Sequence, residues 1–159
     1  MADVFSDGNI RVQWVTAISN IALPTTTELN LGTRLDSTMT ADGLVGFEAE
    51  TAEVETTPLS GTFDTSLPGR AKFSGNALRL KKQTGGDAIF TLLAPNTAGF
   101  VVIRRSLAAG TAYATAQKLE VYPATCGYEK YIAPEANTVE RYEIPIFVSS
   151  QPNTRAAVA

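Results

Sequence analysis

The chain has 159 residues, 44% hydrophobic and 18% charged, a composition that favours one globular domain over disorder or a fibrous repeat. Its net charge of −3 gives no basic surplus for wrapping nucleic acid. The absence of histidine and the single cysteine, Cys126, exclude histidine-dependent catalysis and an internal disulfide.

The first predicted elements are an acidic arm and a strand. Residues 1–9 contain acids and no basic residue, so we expect a mobile N-terminal arm and no secretory signal. No stretch of the sequence approaches the roughly 18 apolar residues of a membrane-spanning helix. Ile10–Trp14 alternates apolar and polar residues, which predicts a half-buried strand with Trp14 in the core.

A short helix and a second strand are predicted next. Thr25 or Thr26 can cap a helix over Thr27–Leu31, because a threonine hydroxyl accepts a hydrogen bond from a free N–H of the first turn. Arg34–Thr40 is expected to form a strand that ends at a turn over residues 41–43, an Ala-Asp-Gly sequence.

The middle of the chain separates acidic from basic residues. The first segment has six carboxylates and no base: Asp42, Glu48, Glu50, Glu53, Glu55 and Asp64. The second has five bases and no acid: Arg70, Lys72, Arg79, Lys81 and Lys82. Both segments are typical of strands, so residues 45–83 are predicted to form a long hairpin with a projecting loop. A slip in the alternation near Ala52 predicts a bulge or a bend. We expect the acidic arm of one copy to attract the basic arm of the next.

One more helix and three more strands are predicted beyond the hairpin. Asp87 can cap a helix over residues 87–93. Residues 150–159 are expected to form a mobile C-terminal tail. The three strands are Gly99–Arg104, Lys118–Thr125 and Tyr142–Ser149, the last interrupted by Pro145. Together these patterns predict a mainly β domain over residues 1–159.

No arrangement of residues in the sequence points to catalysis. Glu48 and Glu50 would stand ~7 Å apart on one strand face, a spacing that glycosidases use, but their neighbours Ala, Thr and Val offer no aromatic cleft. A solvated or functional acidic surface is the preferred interpretation. Cys126 has no possible histidine partner and is expected to be an inert small residue. No zinc spacing or phosphate-binding loop occurs, so no metal or cofactor is predicted.

Several stretches, taken in order, resemble the major tail tube proteins of long-tailed, non-contractile (siphovirus-type) bacteriophages. The resemblance runs over most of residues 9–148 and depends on strand patterns taken as a set. The stretches are Asn9–Val15 with its Trp, Thr27–Gly32, Ser66–Arg70, Lys118–Pro123 and Val139–Val148.

This resemblance implies a structural virion protein of the phage tail, made and assembled in the cytoplasm of the bacterial host. Such proteins have two antiparallel sheets packed as a sandwich or barrel with a flanking helix, here residues 87–93. Six copies form a ring around a channel, and the rings stack on a tape-measure protein between terminator and tip proteins. Double-stranded DNA passes through during ejection without specific binding, and no membrane is involved.

The resemblance assigns two tasks to the predicted hairpin. Glu48 and Glu50 are candidates for a channel wall that repels DNA, because basic walls would retain phosphates. The candidates for contacts between rings or subunits are Glu53, Glu55, Leu59, Phe63, Asp64, Leu67, Arg70 and Lys72.

Two alternatives to a phage tail tube stay open at this stage. One is the inner tube of a phage-derived bacteriocin or of a contractile injection system. The other, of a different class, is a monomeric β-sandwich that binds a ligand or decorates a capsid. A binding module should concentrate its aromatic residues in one exposed loop set, whereas this chain spreads one Trp and five Tyr along its length.

Overall fold

The computed structural model describes residues 1–159 and contains eleven strands and two five-residue helices. The helices are α1 (Thr26–Asn30) and α2 (Ala88–Leu92). The strands are β1 (Arg11–Val15), β2 (Thr33–Arg34), β3 (Met39–Val45), β4 (Ala49–Glu55), β5 (Ser66–Phe73), β6 (Ala77–Lys81), β7 (Ala98–Arg104), β8 (Lys118–Cys126), β9 (Lys130–Tyr131), β10 (Arg141–Val148) and β11 (Asn153–Ala157). The prediction of a mainly β fold is confirmed.

Nine strands form one antiparallel sheet whose two halves meet at β10. Its order is β2-β1-β7-β8-β10-β6-β3, with β11 beside β8 and β9 beside β10. Residues of β10 up to Pro145 pair with β6, whereas Ile146 and the residues after it pair with β8. Pro145, which has no N–H to donate, therefore lies where the strand exchanges one partner for the other.

The main core lies between the two halves of this sheet, as in a sandwich. Trp14 and Ile103 come from the β1-β7-β8 half, and Leu78, Leu80 and Ile144 come from β6 and β10; all are buried in one apolar cluster. Side chains of a strand alternate between its two faces, so each half contributes every second residue to this cluster. The predicted core position of Trp14 is confirmed.

A second apolar cluster covers the opposite face of the β1-β7-β8 half. Val15, Val102 and Val121 alternate with the residues of the main core and pack beneath Leu29 of α1 and Val158 near the C-terminus. Helix α1 begins where the sequence predicts, because Thr25 caps it and forms a reciprocal capping box with Glu28.

The predicted strand over Arg34–Thr40 and the turn after it are wrong. Strand β2 ends at Arg34, and the chain turns at Leu35, whose buried side chain joins the main core. Residues 41–43 lie inside β3, where the pairing with β6 shifts. The shift brings Gly43 so close to the neighbouring strand that a Cβ would stand 2.5 Å from the Arg79 carbonyl oxygen.

The segment expected to be a mobile C-terminal tail is ordered instead. Strand β11 pairs with β8 through Asn153, Ala156 and Ala157. Ala156 and Val158 are buried in the second apolar cluster. The other predicted strands beyond the hairpin appear as β7, β8 and β10, and helix α2 is capped by Asp87 as predicted.

Candidate assembly surface

Strands β4 and β5 form a two-stranded ribbon that is separate from the main sheet. Every residue of β4 is exposed, and so are six of the eight residues of β5. Of the hairpin predicted over residues 45–83, only β4, β5 and the loop between them project from the body. Strands β3 and β6, at its two ends, belong to the main sheet. An isolated two-stranded hairpin is at best marginally stable in water, so this ribbon depends on its attachment to the body or on a partner.

The ribbon is attached through backbone turns at both of its arms. Gly46 (φ 78°) and Phe47 (φ 59°) lead into β4, and Gly75 (φ 68°) follows β5. Positive φ is costly for a bulky residue such as Phe47 and persists only where surrounding contacts hold it. Here the Asn76 side-chain Oδ1 accepts a hydrogen bond of 2.6 Å from the Phe47 N–H.

An aromatic group completes the attachment. Phe47 and Phe73 each pack edge-on against Tyr122 of β8, with ring centroids 5.1 Å and 5.5 Å apart. We call Phe47, Phe73, Asn76 and Tyr122 the hairpin anchor. Because its members come from both arms and from the central strand of the body, the anchor fixes the direction in which the ribbon projects.

The hydroxyl group of Tyr122 links the hairpin anchor to an ion pair on the body. It donates to Glu120 over 2.9 Å, and Glu120 accepts from Arg105 Nε over 2.7 Å. Burial, reinforced by the Glu120 charge, raises the pKa of Tyr122, so the hydroxyl stays a neutral donor. Arg105 thus has its carboxylate partner within the same chain.

The predicted irregularity at Ala52 is confirmed, although the extra residue lies on the other arm. Thr51 pairs with Ala71 and Glu53 pairs with Pro68, so Gly69 and Arg70 together oppose the single residue Ala52. A β-bulge of this kind leaves one residue outside the regular pairing. The Arg70 side chain is exposed there and forms no hydrogen bond or ion pair within the chain.

Because β4 has no extra residue, its side chains alternate through the bulge. Glu50 and Val54 consequently lie on one face of the ribbon, and Glu53 and Glu55 lie on the opposite face. On the first face, Glu50 forms a 3.1 Å ion pair with Lys72 of the opposing strand. The two arms thus neutralise each other at this position, and Lys72 has a partner within its own chain.

The carboxylates near the end of the ribbon have no basic partner. Glu53, Glu55 and Asp64 line one concave surface of about 390 Å³ together with Thr65 and Ser66. None of the three carboxylates belongs to an ion pair of the chain, and neither does the exposed Glu48 at the base of β4. Three like charges held together favour a cationic partner from outside the chain.

Apolar side chains are exposed along the same part of the ribbon. Leu59, Phe63 and Leu67, all predicted to be contact residues, project into solvent. Val54 was missed by sequence reasoning, and it pairs directly with Leu67 across the two strands. The signal that could have identified Val54 is its position as the one large apolar residue between Glu53 and Glu55. Exposed apolar groups rimmed by charges are typical of protein interfaces.

The one cysteine of the chain is not a reactive group. Cys126 is buried, and burial raises the pKa of its thiol to about 11, which keeps it protonated and unreactive. No group of three or more His, Cys, Asp or Glu side chains is arranged to hold a metal ion. Neither helix is long and apolar enough to span a membrane.

Comparison with known proteins decides the family. A family model described as phage tail tube protein matches residues 1–159. The chain belongs to the phage tail tube protein family. As a tail tube protein it is a structural component of the virion and not an enzyme. A search of the curated proteins gives no match to it.

Among solved structures, the tail tube protein is similar in fold to a chain in the cryo-EM structure of the anti-feeding prophage (AFP) baseplate, 6-fold symmetrised. The match covers 96% of each chain with a TM-score of 0.61 and 9% sequence identity. At that identity the likeness establishes the shared fold alone. The family match implies a structural protein of a phage tail that assembles with itself and with other tail components.

Proposed function

We propose that six copies of this chain close into a ring and that stacked rings form the tube of a long-tailed phage, through which the genome is ejected. The observation that carries the proposal is the projecting ribbon of β4 and β5. It exposes Val54, Leu59, Phe63 and Leu67 beside carboxylates that have no partner in the chain. Such a surface gains stability when apolar area is removed from water by another copy, at ~25 cal/mol per Å².

The wall of the channel would carry Glu48 and Glu50. Both side chains are exposed near the base of the ribbon. Glu50 is neutralised by Lys72, so Glu48 would contribute the uncompensated negative charge at this level. A wall of this kind repels phosphates, so DNA would pass along it without being retained.

The contact between rings would be made by the outer part of the ribbon. Glu53, Glu55, Asp64, Leu59 and Phe63 are available there, and Arg70 is the nearest basic side chain of the ribbon without a partner. Lys72 is a weaker candidate than the sequence suggests, because a new partner would have to displace Glu50. Individual exposed ion pairs contribute only ~0–1 kcal/mol, so the strength of stacking would come from apolar contact and repetition around the ring.

The remaining partners follow from the same assembly. A tape-measure protein would occupy the channel during growth, terminator and tip proteins would close the two ends, and the tube would form in the cytoplasm of the bacterial host before joining the virion. Each of these proteins would meet the end or the inside of a ring. The sequence gives no separate motif for any of them.

Sedimentation of paired variants tests the role of the ribbon. Leu59→Ser with Phe63→Ser should abolish sedimenting assemblies while leaving the circular dichroism spectrum unchanged, because both side chains are exposed. Leu31→Ser is the matched control, since Leu31 is also highly exposed but lies at the end of α1, outside the ribbon. If the unsubstituted chain, the double variant and Leu31→Ser assemble equally, the ribbon is excluded as the contact between copies.

A second candidate is the inner tube of a contractile injection system. It is favoured by the fold shared with a chain of the anti-feeding prophage baseplate. In that case the same rings would stack, but the tube would be surrounded by a sheath and would carry no genome. Particles isolated from the producing bacterium decide between the two, because only a phage tail is attached to a DNA-filled head.

A further inference from the structure

A cleft lies between the base of the ribbon and the segment that leads into β11. Its volume is about 740 Å³, within the range of roughly 300–1,000 Å³ that is usual for sites enclosing a ligand. The ribbon contributes one wall through β5, and residues 148–154 contribute the other. The side chains that matter for its chemistry are Ala49, Arg70, Ala71, Phe73, Val148 and Pro152.

This cleft combines a few apolar side chains and the polar residues Ser150, Gln151 and Thr154 with one free positive charge. Lys72 also lines it, but its ammonium group is already paired with Glu50. Arg70 is at the bulge, is exposed and has no partner. No carboxylate lines the cleft. An occupant should therefore present apolar side chains next to a negative charge.

The hairpin tip, which we define as residues 53–66, has this composition. Leu59 and Phe63 are exposed there, and the carboxylates Glu53, Glu55 and Asp64 line one surface without a basic partner. We propose that the cleft is the socket for the hairpin tip of a second copy of this chain, with Arg70 facing the three carboxylates. The proposal rests on the proposed function, because it names the surface that receives the ribbon in the stacked tube.

A hairpin tip cannot fill the socket of its own chain. The ribbon stays paired almost to its end, since the Thr56 N–H donates to the Thr65 carbonyl over 2.8 Å. Arg70 opposes Ala52 in the paired part of the ribbon, and Leu59, Phe63 and Asp64 lie beyond it at the far end. Because the tip and the socket are different surfaces of one chain, their contact is heterologous. Repeated along the ribbon direction, such a contact builds an open polymer instead of a closed dimer.

Charge reversal in full-length protein tests the pairing. Arg70→Glu alone should reduce the mass of sedimenting polymer at least tenfold, and Glu53→Lys with Glu55→Lys should do the same. The combination of all three substitutions should restore polymer, because opposite charges again face each other. Lys118→Glu and Glu140→Lys are matched controls, since both side chains are exposed, belong to no ion pair and lie outside the socket.

The outcomes distinguish a failure of the socket proposal from a failure of the proposed function. If Arg70→Glu polymerises like Lys118→Glu, or if the combined variant is not restored, the socket is wrong while the tube itself stands. If the unsubstituted protein forms neither rings nor tubes, the proposed function fails and the socket fails with it. Circular dichroism of each variant identifies any loss that comes from misfolding.

Cysteine cross-linking gives a second measurement that does not depend on charge. Phe63→Cys and Pro152→Cys in one chain should form intermolecular disulfides in a ladder that extends beyond six copies. Cys126 is buried and stays out of the reaction. A chain carrying Phe63→Cys alone should give no ladder. Cross-linking that stops at dimers in the doubly substituted chain would overturn the head-to-tail contact.

Discussion

The Phe47 N–H and the Asn76 side-chain Oδ1 are joined by a buried hydrogen bond of 2.6 Å across 29 positions of the chain. Phe47 precedes β4 and Asn76 follows β5, so this bond holds together the two points at which the ribbon leaves the body. It also stabilises the positive φ of Phe47. The direction of the exposed hairpin tip therefore depends on a contact that is itself hidden from solvent.

Asn76→Ala should loosen the ribbon and lower stability. The substitution leaves the buried Phe47 N–H without an acceptor, which costs about 1–3 kcal/mol. Urea denaturation should show this loss, and amide exchange at the base of β4 and β5 should accelerate. Asn30→Ala is the control, because the exposed Asn30 side chain makes no hydrogen bond; its effect should stay within about 0.5 kcal/mol. Equal stability of the two variants would contradict the anchor.

Two substitutions of Tyr122 should separate the contribution of its ring to the stability of the hairpin anchor from that of its hydroxyl group. Tyr122→Phe keeps the contacts with Phe47 and Phe73 and removes the hydrogen bond to the Glu120 carboxylate, a loss of about 1.5–3 kcal/mol. Tyr122→Ala removes a buried ring and should cost about 3–5 kcal/mol. Denaturation of both variants measures the difference. If Tyr122→Phe were as damaging as Tyr122→Ala, the hydroxyl group and not the ring would hold the ribbon.

The Glu28 carboxylate should make the free energy of unfolding depend on pH. Backbone N–H groups of Thr25 and Ser19 donate to its carboxylate and lower its pKa from 4.5 to about 2. A lowered folded-state pKa stabilises the fold at pH values above 4.5, and this contribution is lost as the pH falls toward 2. The difference in unfolding free energy between the native chain and Glu28→Gln should therefore shrink over this interval. A difference that stayed constant from pH 6 to pH 2 would contradict the assignment.

Cys126 should not react with thiol reagents while the chain is folded. Its thiol is buried and its pKa is raised to about 11, so very little thiolate exists at neutral pH. A chromogenic disulfide reagent should react with it only when urea unfolds the protein, and the midpoint should coincide with that from circular dichroism. Rapid reaction without denaturant would show that the core around β8 opens locally.

Elements with local signals were predictable from the sequence. Thr25 caps α1 and Asp87 caps α2 through hydrogen bonds to residues three positions away, so a short window contains the whole cause. Strand β1 is likewise recognisable by its alternation of apolar and polar residues, and strands β7 and β8 by short apolar or alternating segments. The exposed apolar residues Leu59 and Phe63 were also recognisable, because they lie in a turn-rich segment that could not bury them.

Features fixed by distant contacts were not predictable in the same way. The ribbon begins at Ala49 and not at Val45 because the chain turns at Phe47, and that turn depends on Asn76. Strand β11 forms because Ala156 fits against β8, a contact without any periodic signal in its own sequence. The Glu50–Lys72 pair depends on the register that places the two residues opposite each other.

Cryo-electron microscopy of the purified full-length protein tests the central claim most directly. The account predicts six-fold rings that stack into tubes, with the ribbon of β4 and β5 bridging successive rings and its tip in the cleft beside Arg70. A protein that remains a 16.9 kDa monomer at every concentration and salt condition would contradict it.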